Sequence, residues 1–503
     1  MNIIFMRHGE ATDNVKELIS DREIYWSVLT EKGKETVLDS IKLLPKTIDK
    51  IYVSPFPRTI ETAHFVYEKH PEAEVIIEQR LHEINNGKYS HQRNNEDLDN
   101  TRLKQIAGDY FVRFGEYGEN KYDIETRLCE FLKDVYKNNF KDNTVMIVSH
   151  GSVTSYMKRI LNIKTPHIKA GKIEEFDNVD FNPLFKYIKT LKNIKSKIIK
   201  ERIDKINVLN INDKLKRNLI KFSKTEFNNI EISNDHFSKF LEGLNTKNLI
   251  QKTSSNFDNS IILICFYHNF ENFAKKWIEH YINIGIKNFV LVDNNSEDNS
   301  TKILKEYQNK VNISFWQINE KYNYQKMCGL KQQILEHYGV GNQYLIVDDS
   351  ELFIYENYEH ISLENFLKKE KQKFIKSLVL EVYPDKQLYE RQTEDFKFVD
   401  KGTYKVTTSV PYKQCFYGGP SFRILNINKS MQKIPFISYT GNEVLINNHY
   451  YYPWNVNEKS KTSSYILDYK FLIRNNLSEN NMSFYDKNIS ISISDIDFKY
   501  IND

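Results

Sequence analysis

Three apolar runs in the first 150 residues end in the same way. "IIFM" leads into Arg7, His8 and Gly9, "IYVS" leads through a proline turn to Arg58, and "VMIVS" leads into His150 and Gly151. Runs of this length without polar alternation suit strands covered on both faces, which means a largely parallel sheet between helices. Helical patterns such as "EKGKETVLDSIKLL" and "TIETAHFVYEKH" alternate with these runs and with a further apolar run, "EVIIE". That alternation predicts an α/β domain over residues 1–178.

A residue at the C-terminal tip of a strand in such a sheet faces the crevice where ligands bind. Two histidines and two arginines therefore converge on one site, and the arginine forks suit the oxygens of a phosphoryl dianion. Gly9 and Gly151 allow the backbone to turn and come close to a ligand. His64, His70, His82, His91 and His167 lack this strand-then-glycine setting and read as core or surface residues.

"RHGE", "SPFPRTIETA", "RLHEINNGKYS" and "VSHGS" occur in this order. Together they resemble the histidine phosphatase superfamily, the phosphoglycerate-mutase-like proteins, over roughly residues 1–178. The resemblance implies a three-layer sandwich and a phosphohistidine formed on His8. It implies phosphate binding by Arg7, Arg58 and a protonated His150, with Gly151 and Asn14 at the substrate and Thr12 as a further helper. Glu83 would protonate the leaving alcohol and then activate water. This cycle calls for no cofactor. The polar segment between Glu83 and Tyr122 is modest in length, which favours a phosphatase over a mutase.

Residues 179–258 read as a basic helical linker. Between positions 186 and 224 stand 13 Lys and Arg against three acids. Ile188, Leu191, Ile194, Ile198, Ile203 and Ile206 recur near helical spacing, which predicts one or two amphipathic helices. A solvated connector packed on a neighbouring domain is the plainer reading. Peripheral contact with an anionic membrane is the functional one. Aromatic residues are not interleaved for base stacking, and 71 basic against 67 acidic residues over 503 leave little net charge, so nucleic acid is not an expected partner. Four cysteines without paired spacing argue against a disulfide framework or a cysteine-based zinc site. The absence of a leader pattern or a long apolar run makes the cytoplasm, at most the inner face of the membrane, the expected location.

Residues 259–503 return to α/β alternation, with strand candidates "SIILICFY", "FVLVD", "ISFWQI", "YLIVDD" and "SLVLEVY" and helices "NFAKKWIEHYINI" and "QKMCGLKQQILEHY". One strand ends at Asp293, placed to hold a ribose or base. Another ends in Asp348, Asp349 and Glu351, hard oxygens suited to Mg²⁺ or Mn²⁺ on a diphosphate. With Trp277, the "DNNSED" turn, "YGGPSFRIL" and "KIPF", this half resembles GT-A glycosyltransferases of the family-2 and family-92 kind. The resemblance implies a GT-A fold and adds Arg423 and His449 as substrate-side residues. Ser350 stands where the family's metal motif has an aspartate, and Asp468, Tyr469 and Lys470 replace a late His-Tyr-Lys.

The expected protein is thus a bifunctional enzyme of surface polysaccharide (capsule or lipopolysaccharide) biosynthesis. One domain would hydrolyse a phosphorylated sugar or other small phosphomonoester. The other would move a sugar from a nucleotide donor to a glycan acceptor, lipid-linked where the linker contacts a membrane. The alternative is a phosphatase carrying a non-catalytic glycan- or nucleotide-binding module. A signalling phosphatase acting on phosphohistidine proteins ranks below both, because it leaves the second half without a role.

Overall fold

The computed structural model describes residues 1–21, 27–90, 92–114, 118–225, 234–385, 393–409, 412–425, 430–447, 450–453, 455–459, 462–473 and 483–497. The chain divides into two compact units, one built on Met1–Glu201 and the other beginning at Arg202.

The first unit is organised by a five-stranded sheet in the order β3-β2-β4-β1-β5. Strands β1 (Asn2–Arg7), β2 (Lys50–Val53), β3 (Glu74–Ile77) and β4 (Thr144–Ser149) run parallel, and β5 (Ile173–Phe176) lies antiparallel on β1. After the short α1 (Thr12–Val15), helices α2 (Glu31–Ile41), α3 (Pro57–Lys69), α4 (Glu96–Ile106), α5 (Lys121–Asn138) and α6 (Gly151–Ile160) surround the sheet. Ile4 and Met6 of β1 pack with Val37, Ile41 and Val66 from α2 and α3. On the opposite face Tyr52 meets Phe131 of α5 edge-on at 5.4 Å. Ile3, Ile4, Phe5 and Met6 are wholly buried, and each contributes roughly 1.5–3 kcal/mol of hydrophobic stabilisation.

Local signals set the helix starts. The Thr30 side chain accepts the Gly33 N–H at 3.0 Å and opens α2. Pro57 takes the first position of α3, where its missing N–H costs nothing. Asn120 caps α5 by accepting from the Asp123 N–H at 2.8 Å. Helix α6 follows β4 without a loop, and His150 is its N-cap residue. Because Arg7 pairs with Ser149 and Val53 with Val148, the three strand tips end level with one another. The run "EVIIE" forms β3 but not the buried strand expected: Val75 and Ile77 are 43% and 58% exposed. The strand is the sheet edge, so one of its flanks has no partner.

The basic stretch over 186–224 holds two helices, α7 (Asn182–Asn207) and α8 (Asp213–Thr225), and α9 (Asn234–Asn245) follows it in the linker. From Arg202 onward the linker is part of the second unit, apart from Glu231–Asn234. Phe222 of α8 stacks on Phe237 of α9 at 5.6 Å, and Arg202 lies 5.0 Å over the Phe237 ring.

The second unit holds a nine-stranded sheet in the order β11-β19-β12-β16-β10-β7-β8-β9-β6. Its parallel core is β7 (Ile262–Tyr267), β8 (Asn288–Asp293), β9 (Asn312–Gln317) and β10 (Gln343–Asp348), linked by α10 (Glu271–Asn283), α11 (Ser300–Lys305) and α12 (Tyr324–Tyr338). Strands β11 (Glu351–Tyr355), β12 (Phe374–Glu381), β16 (Gln432–Ser438) and β19 (Thr462–Asp468) extend one side, and β6 (Ile250–Gln251) closes the other. Short ladders join β13 (Phe398–Asp400) to β20 (Ser490–Ser492), β14 (Lys405–Ser409) to β15 (Tyr412–Tyr417), and β17 (Val444–Asn447) to β18 (Tyr450–Tyr452). β16 sits centrally although it contains Pro435, a residue that argues against a central strand. The β12–β16 register shifts beside it, and this irregularity spares the proline a ladder bond.

Candidate active site

The tips of β1 and β4 bring His8 and His150 together, with ring centroids 5.2 Å apart and planes at 64°. Arg58, from the first turn of α3, lies between them. Its Nε donates to His8 Nε2 at 3.2 Å and its Nη2 to His150 Nδ1 at 3.1 Å. The remaining contacts of the guanidinium are neutral: Nη1 to Ser20 Oγ at 2.9 Å and Nη2 to the Ser20 carbonyl at 2.7 Å.

These bonds fix both tautomers. His8 Nδ1 stands 2.7 Å from the Gly9 carbonyl and carries the proton, which leaves the Nε2 lone pair facing the pocket. His150 accepts at Nδ1, so its Nε2–H donates to Ser54 Oγ at 2.8 Å. Burial, then the field of Arg58, pushes both imidazoles well below their ordinary range. The protonated His150 expected from the resemblance is therefore not the form held here; the ring is a neutral acceptor of an arginine N–H.

Glu83 follows the short turn after β3. Its Oε1 accepts the Ile84 N–H at 2.9 Å, and its Oε2 lies 4.0 Å from His150 Nδ1. Burial raises its pKa from the ordinary glutamate value, against the pull of the Ile84 N–H and Arg58. Arg7 directs Nη1 to His167 Nε2 at 3.1 Å, while its buried Nε has no hydrogen-bond partner. Gly151 makes this arrangement possible, because a Cβ there would stand 2.5 Å from His167 Nε2 and 3.1 Å from Arg7 Cζ. Asn14 lines the pocket, and its Oδ1 accepts the Ala11 N–H at 2.9 Å. The cavity enclosed by these groups measures about 210 Å³.

Sequence reading missed Ser20, Ser54 and His167. The serines carry no signal of their own. His167 read as a background residue, yet it holds Arg7 and meets Ser155 Oγ at 3.0 Å through Nδ1. Of the other histidines set aside, His64 faces Glu68 at the surface, His70 is buried, and His82 Nδ1 bonds the Glu83 carbonyl at 2.7 Å. His91 lies outside the described residues.

Residues 3–182 match the family model described as "Histidine phosphatase superfamily (branch 1)". This segment is a histidine phosphatase superfamily domain. Solved structures similar to it include a putative α-ribazole-5'-P phosphatase from Escherichia coli, at 20% identity, with 35% of this chain and 90% of that one covered and a TM-score of 0.30. The α-ribazole phosphatase from Shigella flexneri shows 23% identity over the same shares, with a TM-score of 0.30. Mycobacterial glucosyl-3-phosphoglycerate phosphatase shows 17% identity over 35% and 91%, with a TM-score of 0.29. No curated protein matches the chain. The histidine phosphatase domain thus supplies the first of the two strand-tip clusters that the sequence marks.

The second cluster lies in the other unit. Asp293 ends β8 and closes its own turn, with Oδ1 accepting from the Ser296 N–H at 2.8 Å and Oδ2 from Thr301 Oγ at 3.3 Å. Asp348 ends β10, two strands away across β7. His268, unmarked by sequence reading, spans the gap: its N–H donates to Asp349 Oδ2 at 3.2 Å, and its Nδ1 to the Asn294 carbonyl at 2.8 Å. Both Asp348 oxygens are taken by buried ammonium groups, Lys331 at 2.8 Å and Lys433 at 3.0 Å. Lys433 also reaches Glu351 at 2.6 Å. Burial opposes charge on Asp348, but the two lysines outweigh it and hold this carboxylate well below its ordinary range. Ser350 turns away from the crevice and donates to Asp468 at 2.8 Å.

This donor set does not fit Mg²⁺ or Mn²⁺. Two cations already occupy Asp348 and Glu351, two of the three carboxylates meant for a metal, and among the described residues no group of three or more His, Cys, Asp or Glu side chains could hold one. Arg423 is spent on Asp400 through two bonds of 2.9 and 2.8 Å, so it faces a carboxylate rather than a substrate phosphate. His449 lies outside the described residues. No described helix is long and apolar enough to cross a membrane.

Proposed function

We propose that the N-terminal domain hydrolyses phosphomonoesters through a phosphohistidine at His8. The observation that carries this reading is the His8 tautomer: Nδ1–H is held on the Gly9 carbonyl, and an unprotonated Nε2 meets the Arg58 guanidinium at the phosphoryl pocket. Nε2 attacks phosphorus and forms a P–N bond as the ester P–O bond breaks. Arg7, Arg58 and the neighbouring imidazole of His150 receive the phosphoryl oxygens. The raised pKa of Glu83 keeps a proton available for the departing alkoxide. The resulting carboxylate then takes a proton from water, whose oxygen attacks phosphorus, and breakage of the P–N bond restores neutral His8.

The test is a pH profile. The first step needs protonated Glu83, so kcat/KM falls as pH rises through that raised pKa. Glu83→Gln should lower kcat by about 10²- to 10⁴-fold and remove the basic limb. An unchanged limb would take Glu83 out of this role.

For the second unit we propose recognition of a nucleotide sugar. The four parallel strands, with antiparallel β16 inserted between β10 and β12, support the GT-A reading. Sugar transfer in surface polysaccharide assembly is the fuller version. The lysine-filled carboxylates of Asp348 and Glu351 favour the other version, a binding module without turnover. Titration calorimetry against nucleotide sugars, paired with product analysis, separates them: binding with turnover supports transfer, and binding alone supports the module.

A further inference from the structure

The phosphoryl pocket continues beyond Glu83. A second cavity of about 330 Å³ adjoins it, and Ile84, Arg102, Phe114 and Ser152 line both spaces. Lys121, Tyr156 and Arg159 line the part that lies beyond them. The described lining carries three cationic side chains, Arg102, Lys121 and Arg159, and no carboxylate.

The three cations are not equally engaged. Arg159 gives Nη2 to Glu125 Oε1 at 2.8 Å, and its guanidinium lies 4.2 Å over the Tyr156 ring. Arg102 donates to Asn94 at 2.7 Å and Asp99 at 3.1 Å. Lys121 makes no ion pair among the described residues. Its Nζ reaches only the Gln105 carbonyl, at 3.4 Å, and sits 4.4 Å over the Tyr110 ring. An ammonium has three protons to donate. One long bond to a carbonyl leaves most of that capacity unspent at a half-buried position, where a charge-assisted bond is worth more than in water. Between this ammonium and the phosphoryl site stand Ile84 and Phe114, both buried and apolar.

We propose that this cavity is a leaving-group subsite for a second anion. The substrate class is a phosphomonoester whose alcohol carries a carboxylate or phosphate at the far end of an apolar or planar segment. The segment passes Ile84 and Phe114, and Lys121 binds the distal anion with Arg102 and Arg159 beside it. The proposal rests on the reading of the His8 site as a phosphatase. Lys121 acts on binding and not on the chemical step, so its contribution belongs in KM.

The test compares three esters on the full chain: 4-(carboxymethyl)phenyl phosphate, its phosphonomethyl analogue and the neutral 4-(carbamoylmethyl)phenyl phosphate. Either acidic ester should exceed the neutral one by about tenfold or more in kcat/KM, through KM; which of the two leads identifies the distal group as carboxylate or phosphate. Lys121→Met should bring the ratio towards one and leave the neutral ester unchanged, and Lys121→Arg should restore it. Equal turnover of all three esters by the unmodified protein overturns the subsite alone, as does a ratio that Lys121→Met leaves intact. Turnover of none, with no phosphate on His8, overturns the phosphatase reading and the subsite with it.

Discussion

The two units use one device to opposite ends. Each places polar side chains at the C-terminal tips of parallel strands. In the first unit the cations are left open: among the described residues Arg58 hydrogen-bonds only neutral partners, and Arg7 keeps a buried Nε unsatisfied. In the second unit the charges close on one another, with Lys331 and Lys433 covering Asp348 and Lys433 also covering Glu351. A cluster whose cations are left open pays off only when an anion arrives. A closed cluster stabilises the fold with no ligand at all. Motif position therefore tells where a site can form, and charge balance tells whether it still awaits a ligand.

His8→Ala breaks the contrast most severely. It should cost at least about 10³-fold in kcat/KM for 4-nitrophenyl phosphate, because no other described group offers a lone pair at that position. Far-UV circular dichroism should remain unchanged, and retention of half the activity would remove His8 from its role.

Lys433→Met probes the closed cluster. Loss of a buried ammonium leaves Glu351 without its cation and Asp348 with Lys331 alone, at a cost of about 3–5 kcal/mol. The unfolding transition of the second unit should move down while phosphatase kcat/KM stays put. An unmoved transition would show that the lysine carries no such load.

Gly151→Ala sharpens the description of the open site. The added methyl presses on His167 and Arg7, and overpacking of this kind costs about 1–3 kcal/mol. We expect an increase in KM of about tenfold with a smaller change in kcat, read by steady-state kinetics. Excess EDTA should have the smallest effect: phosphatase activity and the melting temperature of either unit should hold, since the described residues group no three His, Cys, Asp or Glu side chains around a metal position. A fall in the second unit's melting temperature, reversed by Mn²⁺, would contradict the closed-cluster description.

Much of the first site was legible because its signals are local. An apolar run fixes a strand, the residue behind it occupies the tip, and glycine marks the close approach; His8, His150 and Arg58 all follow from that. The apolar runs ending at Asp293 and Asp348 were legible for the same reason. Pro435 hid β16, since a bulge decided where a proline could sit. The edge position of β3 was equally invisible, because "EVIIE" reads alike in the centre of a sheet or at its rim.

The sequence by itself determined where strands end and which polar side chains those ends carry, since both follow from neighbours a few positions away. Only the tertiary structure decided that His167 supports Arg7, that Lys121 makes no ion pair among the described residues at the cavity beside the phosphoryl pocket, and that Lys331 and Lys433 cover Asp348. Each of these depends on groups from separate elements meeting across the fold, and the charge left on a site is the sum over all of them. Hydrophobic periodicity records which face of an element is buried, but it does not record which charges will meet there.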